Sequence, residues 1–169
     1  MKNILGINLP GGHNTINPFI LIKGGAENFI SFSKFVFDAI EHLEIKTPDK
    51  DGTLIHAEIE IGNSTIMIAD SKNDWPFTPS FIQIYVQNIN NVMEKARSKG
   101  AYIVTEKTKF YGGYNIARMK DPFGNLWWLY ESDENLNQEN NKSDISWHER
   151  KPSYIYSTLM EIMKTINTK

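Results

Sequence analysis

Three observations predict an α+β fold. A β-α-β-β-β pattern runs through the first half of the chain and returns in the second, so that Ile20-Leu21-Ile22 is answered by Ile84-Tyr85-Val86 roughly 64 residues on. The strands alternate polar and apolar residues with period two, and the segments between them repeat at helical spacing. A third helix is predicted at the C-terminal end, over Lys151 to Lys169.

The elements follow in order. Residues 1–16 mix Gly, Pro and apolar residues and are predicted as an irregular lead-in. Asn17 to Lys23 is a strand opened by Pro18 and ended by Gly24-Gly25. Ala26 to Asp38 is a helix, with Phe29, Ile30, Ser33 and Phe37 on one face and Phe32 and Val36 widening the stripe. A short strand over Glu41 to Lys46 and a turn over Pro48 to Gly52 lead into Leu54 to Ile61. Gly62-Asn63 then reverses the chain into Thr65 to Ala69, a hairpin. The second copy reads Phe81 to Val86 as strand and Asn90 to Lys99 as helix, ending at Gly100. Strands follow over 101–105, 114–119 and 125–130, with a loop over 108–112. Asp121-Pro122-Phe123-Gly124 is the sharpest turn signal: Pro122 presets φ and Gly124 tolerates a positive φ. It delivers the chain into Leu126-Trp127-Trp128-Leu129-Tyr130. The division is therefore 1–16 lead-in, 17–74 first module, 75–131 second module, 132–150 polar linker and 151–169 amphipathic helix. That helix carries Ile155, Leu159, Ile162, Met163 and Ile166 on one side and needs a surface to dock on, its own core or a neighbouring subunit.

Composition narrows the function classes. The 169 residues carry a formal net charge of −2, so no global field favours nucleic acid or an anionic membrane. There is no cysteine, which excludes disulfides, thiolate nucleophiles and thiolate metal sites. No stretch approaches the ~18 apolar residues of a membrane span. No secretory leader is visible, and a cytoplasmic location is the expectation. Neither a Gly-rich phosphate loop, a Gly-x-Ser-x-Gly elbow nor His-Glu-x-x-His occurs, so no cofactor is expected.

The paired modules, the His56-Ala57-Glu58-Ile59-Glu60-Ile61-Gly62-Asn63-Ser64 hairpin, the Ile89 to Gly100 helix and the Asp121-Pro122-Phe123-Gly124 turn resemble the vicinal-oxygen-chelate superfamily. Within it they are most similar to the glyoxalase/bleomycin-resistance/dioxygenase group, and there to the phosphonate-operon-type, "3-demethylubiquinone-methyltransferase-like" branch. The resemblance spans about residues 17–131. It implies a curled mixed sheet around a concave cup, a homodimer, and an activity drawn from lyases, isomerases, dioxygenases, thiol transferases and metal-free drug binders. A fold hosting so many chemistries does not choose among them.

In metal-using relatives four strand positions supply His, Glu or Gln to a divalent ion. The resemblance carries these positions onto Asn17, Met67, Phe81 and Trp128, which are no O/N ligand set. The expectation is that the metal site is absent.

Strand parity sorts the remainder. Ile20, Ile22, Ile59, Ile61, Ile66, Ile68, Ile82, Ile84, Val86, Trp127 and Leu129 should face the helices. Phe19, Leu21, His56, Glu58, Glu60, Met67, Phe81, Gln83, Tyr85, Leu126, Trp128 and Tyr130 should face the cup. An apolar basin with sparse polar groups suits an aromatic or amphipathic small molecule, with Phe19, Met67, Phe81, Gln83, Tyr85, Tyr114, Arg118 and Trp128 as binding residues. The same side chains could instead fill the cup or meet another subunit. His56 and Glu58, two apart on a strand, share a face and form a candidate acid/base pair; a locally hydrogen-bonded histidine is the plainer reading. Arg118 could fork onto a carboxylate or phosphate, or simply pair with Asp121 or Glu131. Tyr111-Gly112-Gly113-Tyr114 could be a lid or a hairpin connection, and His13, His42 and His148 are expected at the surface. Three functions stay open: a metal-independent small-molecule binding protein, a lyase or isomerase using His56/Glu58 or a displaced metal, and a dimeric assembly module.

Overall fold

The computed structural model describes residues 9, 11–133 and 152–166. The chain divides into two compact units, Met1–Pro76 and Phe77–Lys169.

In the first unit, β1 (Phe19–Ile22) leads through α1 (Ala26–Phe37) to short β2 (Ile40–Glu41) and β3 (Thr47–Pro48), then the hairpin of β4 (Leu54–Ile61) and β5 (Ser64–Asp70). The sheet order is β1-β5-β4-β2, with β3 also on β4. β1 lies parallel to β5 and pairs Phe19 with Met67, whereas β4 and β5 are antiparallel and pair Glu58 with Met67. Phe29, Ile30 and Val36 of α1 are buried with Ile20, Ile22, Ile59 and Ile68. One apolar helix stripe thus meets one apolar sheet face.

The second unit repeats the plan. β6 (Phe81–Tyr85), α2 (Ile89–Ser98), β7 (Tyr102–Phe110), β8 (Tyr114–Lys120) and β9 (Leu126–Ser132) form a sheet of order β6-β9-β8-β7, and α3 (Tyr154–Thr165) follows. β6 is parallel to β9, as β1 is to β5. α2 packs on β7, β8 and β9 through buried Ile89, Val92, Met93 and Ala96. The repeat extends to one device invisible in the letters. A carboxylate near the end of each module's last strand accepts the first N–H of that module's helix: Asp70 from Ala26 at 2.8 Å and Glu131 from Ile89 at 2.7 Å. Negative charge at a helix N-terminus satisfies an orphan donor and the helix dipole together.

The Asp-Pro-Phe-Gly turn is built around Asp121, which is buried. Its Oδ1 accepts from the Phe123 and Asn125 N–H groups, each at 2.9 Å. Its Oδ2 accepts from Asn125 Nδ2 at 3.0 Å and Trp127 Nε1 at 2.9 Å. Gly124 takes φ +93°. Trp127 is thereby sent into the core and Trp128 to the opposite face.

Several expectations are corrected. The strand over Glu41 to Lys46 is only Ile40–Glu41, followed by a single 3₁₀ turn at Leu43–Ile45 and the two-residue β3. The loop over 108–112 is strand to Phe110, because irregularities between Ile103 and Thr108 break the period-two pattern without ending the pairing. Tyr111 to Gly113 is then a tight hairpin turn, with Gly112 and Gly113 at φ +72° and +78°. Ile61, Ile82, Ile84 and Val86 are half-buried rather than core, Ile82 and Ile84 because β6 is an edge strand of its sheet. The C-terminal helix spans 154–165; residues 151 and 167–169, and the linker beyond 133, lie outside the described residues.

Candidate functional site

On the second sheet, the face away from α2 collects residues from all four strands. Cross-strand register aligns Gln83 with Trp128, Trp128 with Arg118 and Arg118 with Thr105. The neighbouring row is Tyr85, Tyr130 and Ile116. Phe81, Gln83, Tyr85, Tyr114, Arg118 and Trp128, all expected to bind ligand, therefore share one surface. Their rings interlock: Phe81 stands edge-on to Trp128 at 5.8 Å, and Tyr85 meets Tyr114 at 5.7 Å and Tyr130 at 5.4 Å. Gln83 Nε2 donates to the Tyr85 hydroxyl at 2.9 Å. Phe81 and Tyr85 remain 52% and 63% exposed, an apolar surface that its own unit leaves uncovered. Burial raises the Tyr130 phenol above its ordinary pKa, with Arg118 opposing.

The other part of this face is covered by α3. Leu159, Ile162 and Ile166 pack on Leu126, Val104 and Trp128, so Leu126, expected to line the cup, is fully buried. Thr158 Oγ1 and Thr105 Oγ1 share a hydrogen bond of 2.7 Å, and the Tyr154 hydroxyl accepts from the Glu106 N–H at 3.0 Å. A groove of about 450 Å³ runs alongside, lined in part by Tyr102, Lys120, Glu161 and Ile162. The apolar stripe of α3 was the signal that it docks; where it docks was not in the sequence.

Arg118 lies beneath α3, only 4% exposed. The expected salt bridge to Asp121 or Glu131 is corrected. Asp121 is fully engaged in its turn, and Glu131 holds the Ile89 N–H and Lys107. Arg118 Nη1 instead donates to Ile155 O at 2.7 Å and Thr105 Oγ1 at 3.2 Å, and its guanidinium sits 5.4 Å from the centroid of Trp128. Desolvation pulls its pKa below the ordinary arginine range.

In the first unit, Phe19 and Met67 are register partners on the sheet face away from α1. On the same face Glu58 is 6% exposed and His56 Nε2 lies 3.0 Å from its Oε1. His13, expected at the surface, is partly buried: its Nε2 reaches Glu58 Oε2 at 3.3 Å, while the lead-in is held by Thr65 Oγ1 donating to Gly12 O. No local pattern marks His13, which lies more than 40 positions before its partner. His42, between Glu44 and Glu60, is half-exposed, and His148 lies outside the described residues.

The four positions that the resemblance equates with metal ligands hold other side chains here. The Asn17 amide closes a turn with Asn14, and Met67, Phe81 and Trp128 are apolar. Among the described residues no group of three or more His, Asp or Glu is placed to hold an ion.

Comparison with known proteins identifies the family and the fold. The model of the Glyoxalase/Bleomycin resistance protein/Dioxygenase superfamily matches residues 15–129. An uncharacterized protein of Mycobacterium bovis, Mb0911c, is 28% identical over 137 residues, covering 75% of this chain and 89% of that protein. Among solved structures, the fosfomycin resistance protein FosX of Listeria monocytogenes superposes with a TM-score of 0.56 at 17% identity, over 72% of this chain and 96% of its own. A Bacillus cereus protein described as a putative 3-demethylubiquinone-9 3-methyltransferase, PhnB protein, does so with a TM-score of 0.54 at 22% identity, over 70% and 100%. These structural likenesses speak for the fold. Among the described residues no helix is long and apolar enough to cross a membrane.

Proposed function

The chain belongs to the Glyoxalase/Bleomycin resistance protein/Dioxygenase superfamily, and from that premise we propose that it is a metal-independent, cytoplasmic small-molecule binding protein. The observation that carries this reading is the aromatic surface on which Phe81 and Tyr85 are exposed and Tyr114 and Trp128 half-buried, beside the polar groups of Gln83 and the buried Arg118. Apolar walls with a few orienting polar groups are the makeup of ligand sites. Flat rings favour a planar aromatic or amphipathic ligand. Asn17, Met67, Phe81 and Trp128 supply no ligand set for a catalytic ion, which favours binding without a metal. A homodimer is part of the same reading.

A thermal-shift screen of planar aromatic and amphipathic compounds tests the proposal. For the best hit, Trp128→Ala and Phe81→Ala are each expected to weaken binding about tenfold, or ~1.4 kcal/mol. A hit whose affinity neither substitution changes sinks the assignment.

A second reading, a lyase or isomerase, is favoured by one observation: the buried Glu58 carboxylate stands between two imidazoles, His56 and His13. A carboxylate orienting an imidazole is the arrangement of a general acid/base. Hits from the same screen should then exchange a carbon-bound proton with D2O, and His56→Ala should abolish the exchange while circular dichroism stays native. No exchange with any hit removes this reading.

A further inference from the structure

On the aromatic face, Arg118 is a buried group that the described residues leave incompletely hydrogen-bonded. A guanidinium carries five N–H donors in a planar fork. Here Nη1 makes both hydrogen bonds, and Nε is buried with no partner among the described residues. Both acceptors, Ile155 O and Thr105 Oγ1, are neutral, and among the described residues no carboxylate pairs with it. Buried charges are ordinarily paired, because desolvation without a counter-charge is unfavourable. The acceptor on the far side, Ile155 O, belongs to the first turn of α3, and α3 lies beyond the 15–129 stretch shared with the superfamily. A buried, unneutralised cation beside an indole face is thus capped by a neutral carbonyl from an added helix. An oxyanion in that place would meet the fork with charge-assisted, two-pronged hydrogen bonds stronger than the carbonyl's.

We propose that Arg118, Thr105 and Trp128 form an oxyanion subsite for small molecules bearing a carboxylate or phosphate on an aromatic body, and that the first turn of α3 occupies it until such a ligand displaces it. The proposal rests on the reading of this face as a ligand site. It uses the Phe81 and Trp128 rings for the aromatic body and makes α3 a competitor whose docking lowers apparent affinity. The buried apolar contact of the helix lies toward its C-terminal end, at Ile162 and Ile166, while Tyr154 and Tyr156 at its start remain exposed and its first turn is held by hydrogen bonds.

The test titrates the full chain with benzoate, phenyl phosphate and neutral benzamide by calorimetry, and follows amide hydrogen exchange over 154–165. At least one anion should bind ten or more times tighter than benzamide, with faster exchange in α3 on binding; benzoate against phenyl phosphate separates carboxylate from phosphate. Arg118→Gln should erase the preference for anions. Leu159→Ala, which loosens helix docking while leaving the Arg118 guanidinium and the Thr105 hydroxyl in place, should tighten anion binding at least threefold. If all three probes bind alike in wild type and Arg118→Gln, the oxyanion subsite is overturned while the aromatic ligand site stands. Anion binding that leaves helix exchange unchanged overturns the occlusion by α3. If no probe binds either wild type or Leu159→Ala, the subsite falls, and the ligand site falls with it only when the broad screen is also empty.

Discussion

Replacing Asp121 by alanine is expected to destabilise the protein by about 3–4 kcal/mol, read as a lower denaturation midpoint at unchanged m-value. The carboxylate accepts four hydrogen bonds inside the turn, and removal strands the Trp127 indole N–H together with two backbone donors. Trp127 is fully buried, so its N–H has no route to water. Asp121→Asn keeps the shape but points an amide N–H₂ at some of these donors, and is expected to lose nearly as much at neutral pH. Its pH dependence adds a signature. Desolvation raises the Asp121 pKa above the ordinary carboxylate value, with the Trp127 and Asn125 hydrogen bonds partly opposing. The native state therefore keeps this proton to higher pH than the unfolded chain. Through this group stability falls as pH rises from about 3.9 through the raised native value, and is fully present below about 3.9. The stability gap between wild type and Asp121→Asn, in which other carboxylates cancel, should widen as pH is lowered from neutrality toward about 4. A gap that stays flat or narrows would show that the hydrogen bonds outweigh desolvation.

Gly124→Ala is expected to cost about 2–4 kcal/mol for two separable reasons. The residue sits at φ +93°, where a side chain is strained, and a Cβ there would lie 2.5 Å from Phe77 Cζ. Something must move, and Phe77 is the partner that can. Adding Phe77→Ala to Gly124→Ala should relieve the contact but not the backbone strain. The double-mutant cycle should give a favourable coupling of about 1 kcal/mol or more, and additivity within about 0.5 kcal/mol would locate the whole cost in the backbone.

These two residues illustrate how much was legible beforehand. Pro122 and Gly124 announced the turn, since tight-turn geometry is a local property of four residues. That Asp121 would anchor it by reaching the Trp127 indole needed the next strand in place. The β-α-β-β-β repeat and the sharing of one face by Phe81, Gln83, Tyr85, Trp128 and Tyr130 were likewise readable, because period-two alternation passes unchanged from letters to pleated backbone. β7 was under-read because its irregularities broke that period.

What the sequence alone determined was therefore local: the two modules, their element types, the aromatic stripe, and the presence of an amphipathic C-terminal helix seeking a surface. The tertiary structure alone decided which groups meet across long separations. It set α3 on Leu126 and Trp128, gave Arg118 the Ile155 carbonyl instead of a carboxylate, brought His13 to Glu58, and placed Asp70 and Glu131 at the helix starts. Hydrophobic burial is non-directional, so an apolar stripe states that it must be covered but not by what. Polar partners are then chosen by whichever donors and acceptors that packing happens to seal from water.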